Sequence, residues 1–374
     1  MNNKESKICL VVPYFGTFKN YFQLWLDSVG VNSTIDFLLV TDQKLSEYQL
    51  PNNIHVKEMT FQEMQNRIHQ KLGSWCQITY PYKLCDYKPA YGVLFEEELD
   101  GYDWFGFCDT DMIFGDIRHF LSEERLAATD KIGEGGMFVL LRNSEDGKHY
   151  FEKEYPTWGV NHKEAYSTSN VTQFDETDYM NRVFDLTHEK PHDLLYDEIG
   201  DTRPKTFDFR SVKAIFLEKE LYRYQDGKLY RMGERGYVKE VMWVHFLARE
   251  MLITRELDPK NYWMVPNGFV TSYQEDFFEA YQPTREEIER YQERYRQIVS
   301  NKWIKRIKNG WFQRRIRYTF RKTRSNLLTN RSSAYNGTAQ HSTAQHSTAQ
   351  HSTRKNRDYC SFYRWENFRT QTVL

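Results

Sequence analysis

Short apolar segments alternate with amphipathic ones along the first third of this chain. Four runs have the apolar character of buried strands: residues 7–13, 35–40, 54–56 and 102–108. Between the third and fourth runs, Thr60 and Glu63 form a capping-box pattern that opens a predicted helix ending near Leu72. Strands that alternate with helices predict an α/β sheet flanked by helices, in which ligands bind beyond the carboxyl ends of the strands.

Two carboxylates come directly after the fourth run. Asp109 and Asp111 follow an aromatic segment that ends at Cys108, and residues i and i+2 of an extended segment point to the same side. Mg²⁺ binds one or two carboxylates and leaves its other positions to water and substrate phosphates. The pattern therefore predicts a divalent-cation site that faces a diphosphate. An Asp-rich turn after a strand would account for the same two residues without a metal.

Later segments have weaker but readable patterns. The predicted elements are a helix at 88–99, a strand at 136–141, a helix at 174–184, a hairpin of 221–224 and 229–232 around Asp226-Gly227, an aromatic strand at 240–246 and a charged helical region at 283–326. The aromatic strand places His245 near its end, where a histidine is either a core residue or a ligand.

Composition narrows the classes of protein that fit. The chain has 374 residues, which is long enough for one large domain or two ordinary ones, each with its own core. Aromatic residues make up 16% of it. Five cysteines without a CxxC pair favour neither a disulfide framework nor a zinc site. Residues 1–7 are polar and the run at 8–13 is too short for a signal peptide, so we expect a cytoplasmic protein.

These features together resemble the GT-A class of nucleotide-sugar glycosyltransferases, in particular bacterial enzymes of capsule or lipopolysaccharide synthesis. The resemblance covers about residues 5–270. It is carried by Pro13-Tyr14 after the first strand, Asp86-Tyr-Lys88-Pro before a helix, Asp109-Thr-Asp111, Gly135-Gly136 and Asp175-Glu176. It implies a Rossmann-like mixed sheet flanked by helices, and transfer of a hexose from a nucleoside diphosphate sugar to a glycan or lipid-linked acceptor.

The resemblance also implies roles for single residues. Asp109 and Asp111 would bind Mn²⁺ or Mg²⁺, with His245 as a third ligand. Lys88 would approach the phosphates or the sugar of the donor, for which a UDP-sugar is favoured. The base and ribose would lie against Pro13, Tyr14, Thr41 and Asp42.

Asp175 and Glu176 are the candidates for the general base that takes the proton of the acceptor hydroxyl. Carboxylates at the start of a helix are also favoured simply by capping and by the helix dipole. A third metal ligand favours retention of configuration and a well-placed base favours inversion, so the stereochemistry stays open.

Charge divides the chain into unlike parts. Residues 301–331 contain 11 Lys or Arg and no Asp or Glu, with tryptophans and other aromatics among them. We expect residues 1–275 to form the catalytic domain, with a nucleotide-binding part to about 116, and residues 276–331 to form a basic helical extension. This extension would bind an anionic inner-membrane surface, because basic residues contact lipid head groups while aromatics enter the interface. No nucleic-acid-binding fold accompanies it, so nucleic acid is the less favoured partner.

Two other functions compete with sugar transfer. A phosphatase of the haloacid dehalogenase type also uses two Asp one residue apart after a strand, and the first of them is the nucleophile. In such enzymes the motif normally opens the catalytic domain, whereas here it comes at residue 109. A non-catalytic membrane-associated scaffold on a transferase fold is the second alternative.

The last segment contains a tandem repeat. Residues 338–353 read Thr-Ala-Gln-His-Ser three times and end with Thr, a polar tract within an expected disordered tail at 332–374. A repeated five-base unit ACAGC, read in triplets, encodes this pentapeptide as ACA-GCA-CAG-CAC-AGC. Slippage by one unit would shift the frame and replace residues 354–374, which suits phase variation of a surface glycan.

We therefore predict that the gene carries a pure ACAGC tract over these codons. Sequencing the tract in several single-colony isolates should show copy numbers that differ by whole five-base units. Different synonymous codons in the three copies would contradict the prediction. They would mean that the amino acids have been preserved and the five-base unit has not.

Overall fold

The computed structural model describes residues 5–133, 135–154, 160–174, 178–190, 192–195, 198–202, 206–210, 219–247, 249–272, 277 and 281–308. Its strands are β1 Ile8–Pro13, β2 Ile35–Thr41, β3 Ile54–Glu58, β4 Trp104–Cys108, β5 Met112–Phe114, β6 Lys131–Ile132, β7 Phe138–Arg142, β8 Ile199–Asp201, β9 Glu220–Gln225, β10 Lys228–Gly233, β11 Val238–Glu240, β12 Trp243–His245, β13 Leu252–Ile253, β14 Asn261–Val265 and β15 Gly268–Val270.

The α-helices are α1 Phe22–Gly30, α2 Phe61–Leu72, α3 Tyr91–Leu94, α4 Ile117–Phe120, α5 Glu123–Ala128, α6 Glu145–Lys148, α7 His162–Tyr166, α8 Asp178–Thr187 and α9 Arg285–Lys308. The 3₁₀ helices are Pro81–Ala90 and Tyr150–Glu152. Within the described residues, no helix is both long and apolar enough to cross a bilayer.

The central sheet has the order β3-β2-β1-β4-β7-β6. Strands β1 to β4 are parallel, and β7 and β6 are antiparallel additions at one edge. Alternate residues of β1 pack on opposite faces: Cys9 and Val11 join one core, and Leu10 and Val12 join the other. Burial on both faces explains why the first strands are continuous apolar runs.

Two further sheets complete a mixed α/β architecture. One has the order β11-β10-β9-β14-β15-β13, and its β9–β10 hairpin turns at Asp226 and Gly227, where φ is +46° and +85°. Both positions require positive φ, which is what an Asp-Gly turn supplies. The other sheet has the order β5-β12-β8 and pairs β12 antiparallel with β5, the strand that follows Asp111.

Most predicted elements are confirmed, and a few boundaries were wrong. The helix predicted at 88–99 is a 3₁₀ helix, Pro81–Ala90, followed by the short α3, because Pro89 lies inside the segment. The strand predicted from residue 136 begins at Phe138, since Gly135 and Gly136 both have φ of +78°. The strand predicted at 240–246 is two strands, β11 and β12. The helix predicted at 174–184 is described as Asp178–Thr187.

The charged region predicted at 283–326 begins as α9, with Thr284 and Glu287 as a capping box. Residues 309–374 lie outside the described residues. They include most of the basic segment 301–331, the repeat and the tail.

A buried ion pair holds the 3₁₀ helix Pro81–Ala90 in place. The side chains of Lys83 and Asp86 are both 0% exposed, and Lys83 Nζ lies 2.6 Å from Asp86 Oδ2. Lys83 Nζ also donates to the backbone carbonyls of Ala165 and Asn170, each at 2.8 Å. The ammonium group is therefore neutralised and hydrogen-bonded in three directions, as a buried charge must be.

Asp86 reaches the same neighbouring segment from the other side. Its two carboxylate oxygens accept hydrogen bonds from the backbone N–H groups of Thr172 and Phe174, each at 2.8 Å. The pair therefore fastens residues 165–174 to the 3₁₀ helix.

We expect Asp86→Asn to lower the free energy of unfolding by about 3–5 kcal/mol, because it leaves Lys83 buried without a counter-charge. Urea unfolding followed by circular dichroism measures this change. Lys71→Met is the control, since Lys71 pairs at the surface with Glu97, which is 63% exposed, and such pairs contribute about 1 kcal/mol or less. Equal losses in the two variants would mean that the buried pair does not hold this region.

Candidate metal site

The two carboxylates lie at the carboxyl end of β4. The backbone N–H of Asp109 donates to Met137 O at 3.0 Å, which extends the pairing with β7 by one residue. After Thr110 the chain enters β5, and Asp111 O accepts from the backbone N–H of Phe246 at 3.0 Å. Asp109 and Asp111 are thus each fixed through the backbone, and their side chains are 33% and 22% exposed.

His245 comes to the carboxylates through strand pairing. It ends β12, which pairs antiparallel with β5 so that His245 lies opposite Met112. Its Nε2 lies 3.1 Å from Asp111 Oδ1 and 3.9 Å from Asp109 Oδ2, and its side chain is 6% exposed. Thr202 N–H and O–H donate to the His245 carbonyl and hold the end of the strand.

Asp109, Asp111 and His245, called the Asp-Asp-His cluster below, offer ligand atoms that all lie within 4.8 Å of one another. Two ligands of one Mg²⁺ ion can be at most about 4.2 Å apart, because each bond is about 2.1 Å long. Both distances from His245 Nε2 are below this limit. Two carboxylates and an imidazole are also common ligands of divalent ions, so the residues fit such an ion.

Lys88 closes the cluster on the side of the 3₁₀ helix. Its Nζ donates to Asp109 Oδ1 at 2.7 Å and to the carbonyl of Gly136 at 2.6 Å. Gly135 and Gly136 precede β7 with φ of +78°, a conformation that is strained for any residue with a side chain. This glycine pair turns the Gly136 carbonyl toward the ammonium group.

The loop after β1 also faces Asp111. Burial raises the pKa of the Asp111 carboxyl, but His245, Lys19 and Lys88 outweigh it and hold that pKa below its usual value. Burial, and then the Asp111 charge, raise the pKa of the Tyr14 hydroxyl. These neighbours favour the ionised form of the carboxylate, which is the form that binds a metal.

The other residues predicted to bind the donor lie at the same edge of the central sheet. Pro13 ends β1, and Tyr14 follows it with its hydroxyl donating to Thr17 O at 2.9 Å. Thr41 ends β2 but is 1% exposed, and its Oγ1 accepts from the backbone N–H of Gln43. Asp42 is exposed and accepts from Gln43 Nε2 at 2.6 Å.

Asp175 and Glu176 lie outside the described residues. The last described residue before them is Phe174, which is buried and hydrogen-bonded to Asp86. Their predicted role as the general base stays a prediction.

Sequence reasoning missed two residues near the cluster. Lys19 is exposed and acts electrostatically on Asp111. Tyr21 is 0% exposed, Asp111 contributes to its raised pKa, and its hydroxyl has no hydrogen-bond partner within the described residues. Nothing in the local sequence marks either residue, because only the folded loop brings them toward Asp111.

The fold and the site define a mixed α/β protein with a candidate divalent-cation site at the end of its parallel strands. Residues 10–273 match the profile of a family of unknown function, DUF6625, and the chain belongs to that family. A comparison with curated protein sequences finds no match.

Among solved structures, the chain is similar to the glycosyltransferase GlyE of Streptococcus pneumoniae TIGR4, at 12% sequence identity and a TM-score of 0.26. The match covers 52% of this chain and 46% of that one, so it spans less than half of the other protein. With a TM-score this low, the function has to be argued from the residues of this chain.

We expect Asp111→Ala and His245→Ala each to weaken Mn²⁺ binding more than about tenfold, because each removes one of three ligand groups. Loss of an outer hydrogen bond to a metal ligand already costs about 10–100-fold. Titration calorimetry on the purified chain measures the affinity. Asp100→Ala is the control, since Asp100 is an exposed acid that precedes β4 at the opposite end of this strand. Wild-type Mn²⁺ affinity in both site variants would rule out the proposed ligands.

Proposed function

We propose that this chain is a metal-dependent glycosyltransferase that moves a hexose from a nucleoside diphosphate sugar to a glycan or lipid-linked acceptor. The observation that carries the proposal is the Asp-Asp-His cluster beside Lys88 at the carboxyl ends of parallel strands. Ligands bind at this edge of α/β sheets. The finer assignment to the GT-A class rests on the sequence resemblance given above.

Charge balance supports a diphosphate as the ligand. Asp109 and Asp111 neutralise one divalent ion when both are ionised, so the metal centre alone has no net charge to spare for a diphosphate. Lys88 and Lys19 supply the additional positive charge on the surrounding elements. Lysine is a common partner of phosphate, which it binds as a compact point charge.

The chemistry of the leaving group gives these residues their function. Cleavage of the bond to the anomeric carbon leaves a nucleoside diphosphate, and a bound Mn²⁺ or Mg²⁺ would stabilise that charge as a Lewis acid. Asp109, Asp111 and His245 would hold the ion, and an imidazole ligand favours Mn²⁺ over Mg²⁺. Lys88, whose Nζ is held by the Gly136 carbonyl, would add positive charge on the side of the same oxygens.

The nucleoside would lie along the ends of β1 and β2, with a UDP-sugar favoured as donor. Tyr14 stacks on Phe18 at 4.7 Å between ring centroids, so its ring is held in one orientation. Pro13 and the exposed Asp42 would complete the pocket for base and ribose. The side chain of Thr41 would support this edge from within, because it is buried.

The remaining parts of the proposal concern the acceptor side and the cell. Asp175 or Glu176 would act as general base, within an acceptor-side part at about 117–275. The basic segment 301–331 would bind the enzyme to the cytoplasmic face of the inner membrane, where lipid-linked acceptors lie. Synthesis of a phase-variable capsule or lipopolysaccharide would fit the repeat at 338–353.

The first experiment is thermal unfolding with Mn²⁺ and a panel of nucleoside diphosphates and nucleotide sugars. We expect one nucleotide family to raise the unfolding midpoint only when Mn²⁺ is present, because a ligand that binds the native state stabilises it by mass action. Asp111→Ala should lose the shift, and Asp100→Ala should keep it. No shift with any nucleotide would contradict the proposal.

The Lys88→Met variant distinguishes binding of the metal from binding of the diphosphate. This variant keeps the three ligand groups, so we expect it to bind Mn²⁺ and to lose most of the metal-dependent nucleotide shift. If the variant keeps the full nucleotide-dependent shift of the unfolding midpoint, Lys88 does not bind the donor. A radiolabelled aspartyl-phosphate on Asp109, trapped with a phosphate-ester substrate and absent from Asp109→Asn, would instead support the phosphatase alternative.

A further inference from the structure

We propose that the exposed ridge of the 3₁₀ helix Pro81–Ala90, with the aromatic side chains beside it, binds a neutral oligosaccharide. The inference rests on the proposed function, since it assigns the acceptor surface of the same site. It arises from three features: the period of this helix, the exposed aromatic residues in it and just before it, and the contacts that order two of those residues.

The period of the helix leaves one ridge open to solvent. In a 3₁₀ helix residues three apart lie above one another. Two of the three ridges are buried. One consists of Lys83, Asp86 and Pro89, and the other of Leu84, Tyr87 and Ala90. The third consists of Tyr82, which is 73% exposed, and the half-buried Cys85 and Lys88.

This open ridge ends at the Asp-Asp-His cluster. Lys88 Nζ lies 2.7 Å from Asp109 Oδ1, and Tyr82 lies two helical turns away, roughly 12 Å along the axis at about 2 Å per residue. A molecule stretched along the ridge from Tyr82 would therefore present its far end to the metal site. The surface suits a chain of several sugars better than a single one.

Exposed aromatic side chains are concentrated in the segment that leads into this helix. Among the described residues four aromatic side chains are exposed, and three of them are Trp75 at 43%, Tyr80 at 39% and Tyr82 at 73%. The fourth, Tyr237, belongs to the connection between β10 and β11. Aromatic rings carry partial negative charge on their faces, which suits the C–H faces of pyranose rings, and tyrosine adds a hydroxyl for polar contacts.

Two of the other exposed rings are held by contacts with neighbouring segments. Trp75 stacks on Tyr166 at 6.4 Å between centroids, and Tyr166 stacks in turn on the buried Tyr87 at 4.3 Å. Tyr80 has a hydrogen bond with the backbone of Val171. Side chains that are ordered before binding lose little conformational entropy in the complex.

The charges around the ridge favour a neutral ligand. Lys83 and Asp86 neutralise each other inside the protein, and Lys88 is paired with Asp109. Lys88 is assigned to the donor phosphates, and the other two residues of the ridge, Tyr82 and Cys85, are uncharged. Neutral hexose or N-acetylhexosamine units match this surface.

The test uses the full chain on a printed array of neutral hexose and N-acetylhexosamine oligosaccharides, followed by titration with the best-bound glycan. We expect Tyr82→Ala to weaken that binding by about tenfold or more, and Tyr82→Phe to keep it, because the ring supplies the contact. Tyr237→Ala is the matched control and should bind as the wild type does. Tyr82 is mostly exposed, so its variants should unfold at the wild-type midpoint.

Each other outcome overturns the proposal. Absence of any bound glycan would do so, as would unchanged binding in Tyr82→Ala. If sedimentation shows that Tyr82→Ala converts a dimer to a monomer while glycan binding is unchanged, the ridge is a contact between two copies.

Failure of this inference is distinguishable from failure of the proposed function. A wild-type chain with the Mn²⁺-dependent nucleotide shift but no glycan binding would refute only the acceptor surface. Glycan binding without any nucleotide shift would refute sugar transfer and leave a carbohydrate-binding surface. Asp111→Ala should retain glycan binding, since the ridge does not depend on the metal.

Discussion

Two carboxylates held within a few ångströms of each other at the edge of a sheet repel, and the surrounding structure compensates for that repulsion. Lys88 donates to Asp109 at 2.7 Å and His245 contacts Asp111 at 3.1 Å, so each carboxylate has a polar partner. Like charges in close contact ordinarily force one group to take up a proton. Here His245, Lys19 and Lys88 favour the ionised form of Asp111 and hold its pKa below the usual value. The 3₁₀ helix, the glycine pair and β12 each serve this arrangement, because each delivers or holds one of the compensating groups.

The position of Lys88 depends in turn on contacts far from the cluster. The 3₁₀ helix that carries Lys88 is fastened through Lys83 and Asp86 to the backbone of residues 165–174. A lysine side chain is flexible, so its ammonium group is well placed only if its backbone is fixed and its end is held. The buried ion pair fixes the backbone, and the Gly136 carbonyl holds the end. The proposed binding surface, the Asp-Asp-His cluster and the buried ion pair are therefore parts of one local structure.

The sequence predicted those features that depend on short-range patterns. Apolar runs predicted the first four strands, and the Asp-Gly pair predicted the β9–β10 hairpin. The resemblance implies that His245 joins Asp109 and Asp111 and that Lys88 lies nearby at the donor phosphates; the structure places the four side chains together, and their roles stay predictions. The 3₁₀ helix Pro81–Ala90 was missed, because the predicted helix begins at residue 88 and leaves out most of it. Lys19 and the partners of Asp86 could not have been found, since they are defined by contacts between segments that are distant in sequence.

The third ligand group of the cluster comes from far along the chain. Asp111 and His245 are 134 residues apart in sequence, and strand pairing between β5 and β12 joins them. Such a long-range contact is of the kind that slows folding, since the loop between the two strands must be closed first. A nascent or truncated chain that ends before Trp243 carries both carboxylates but no histidine beside them. The proposed metal site is therefore complete only after β12 has paired with β5, and tight binding of the ion would mark that pairing.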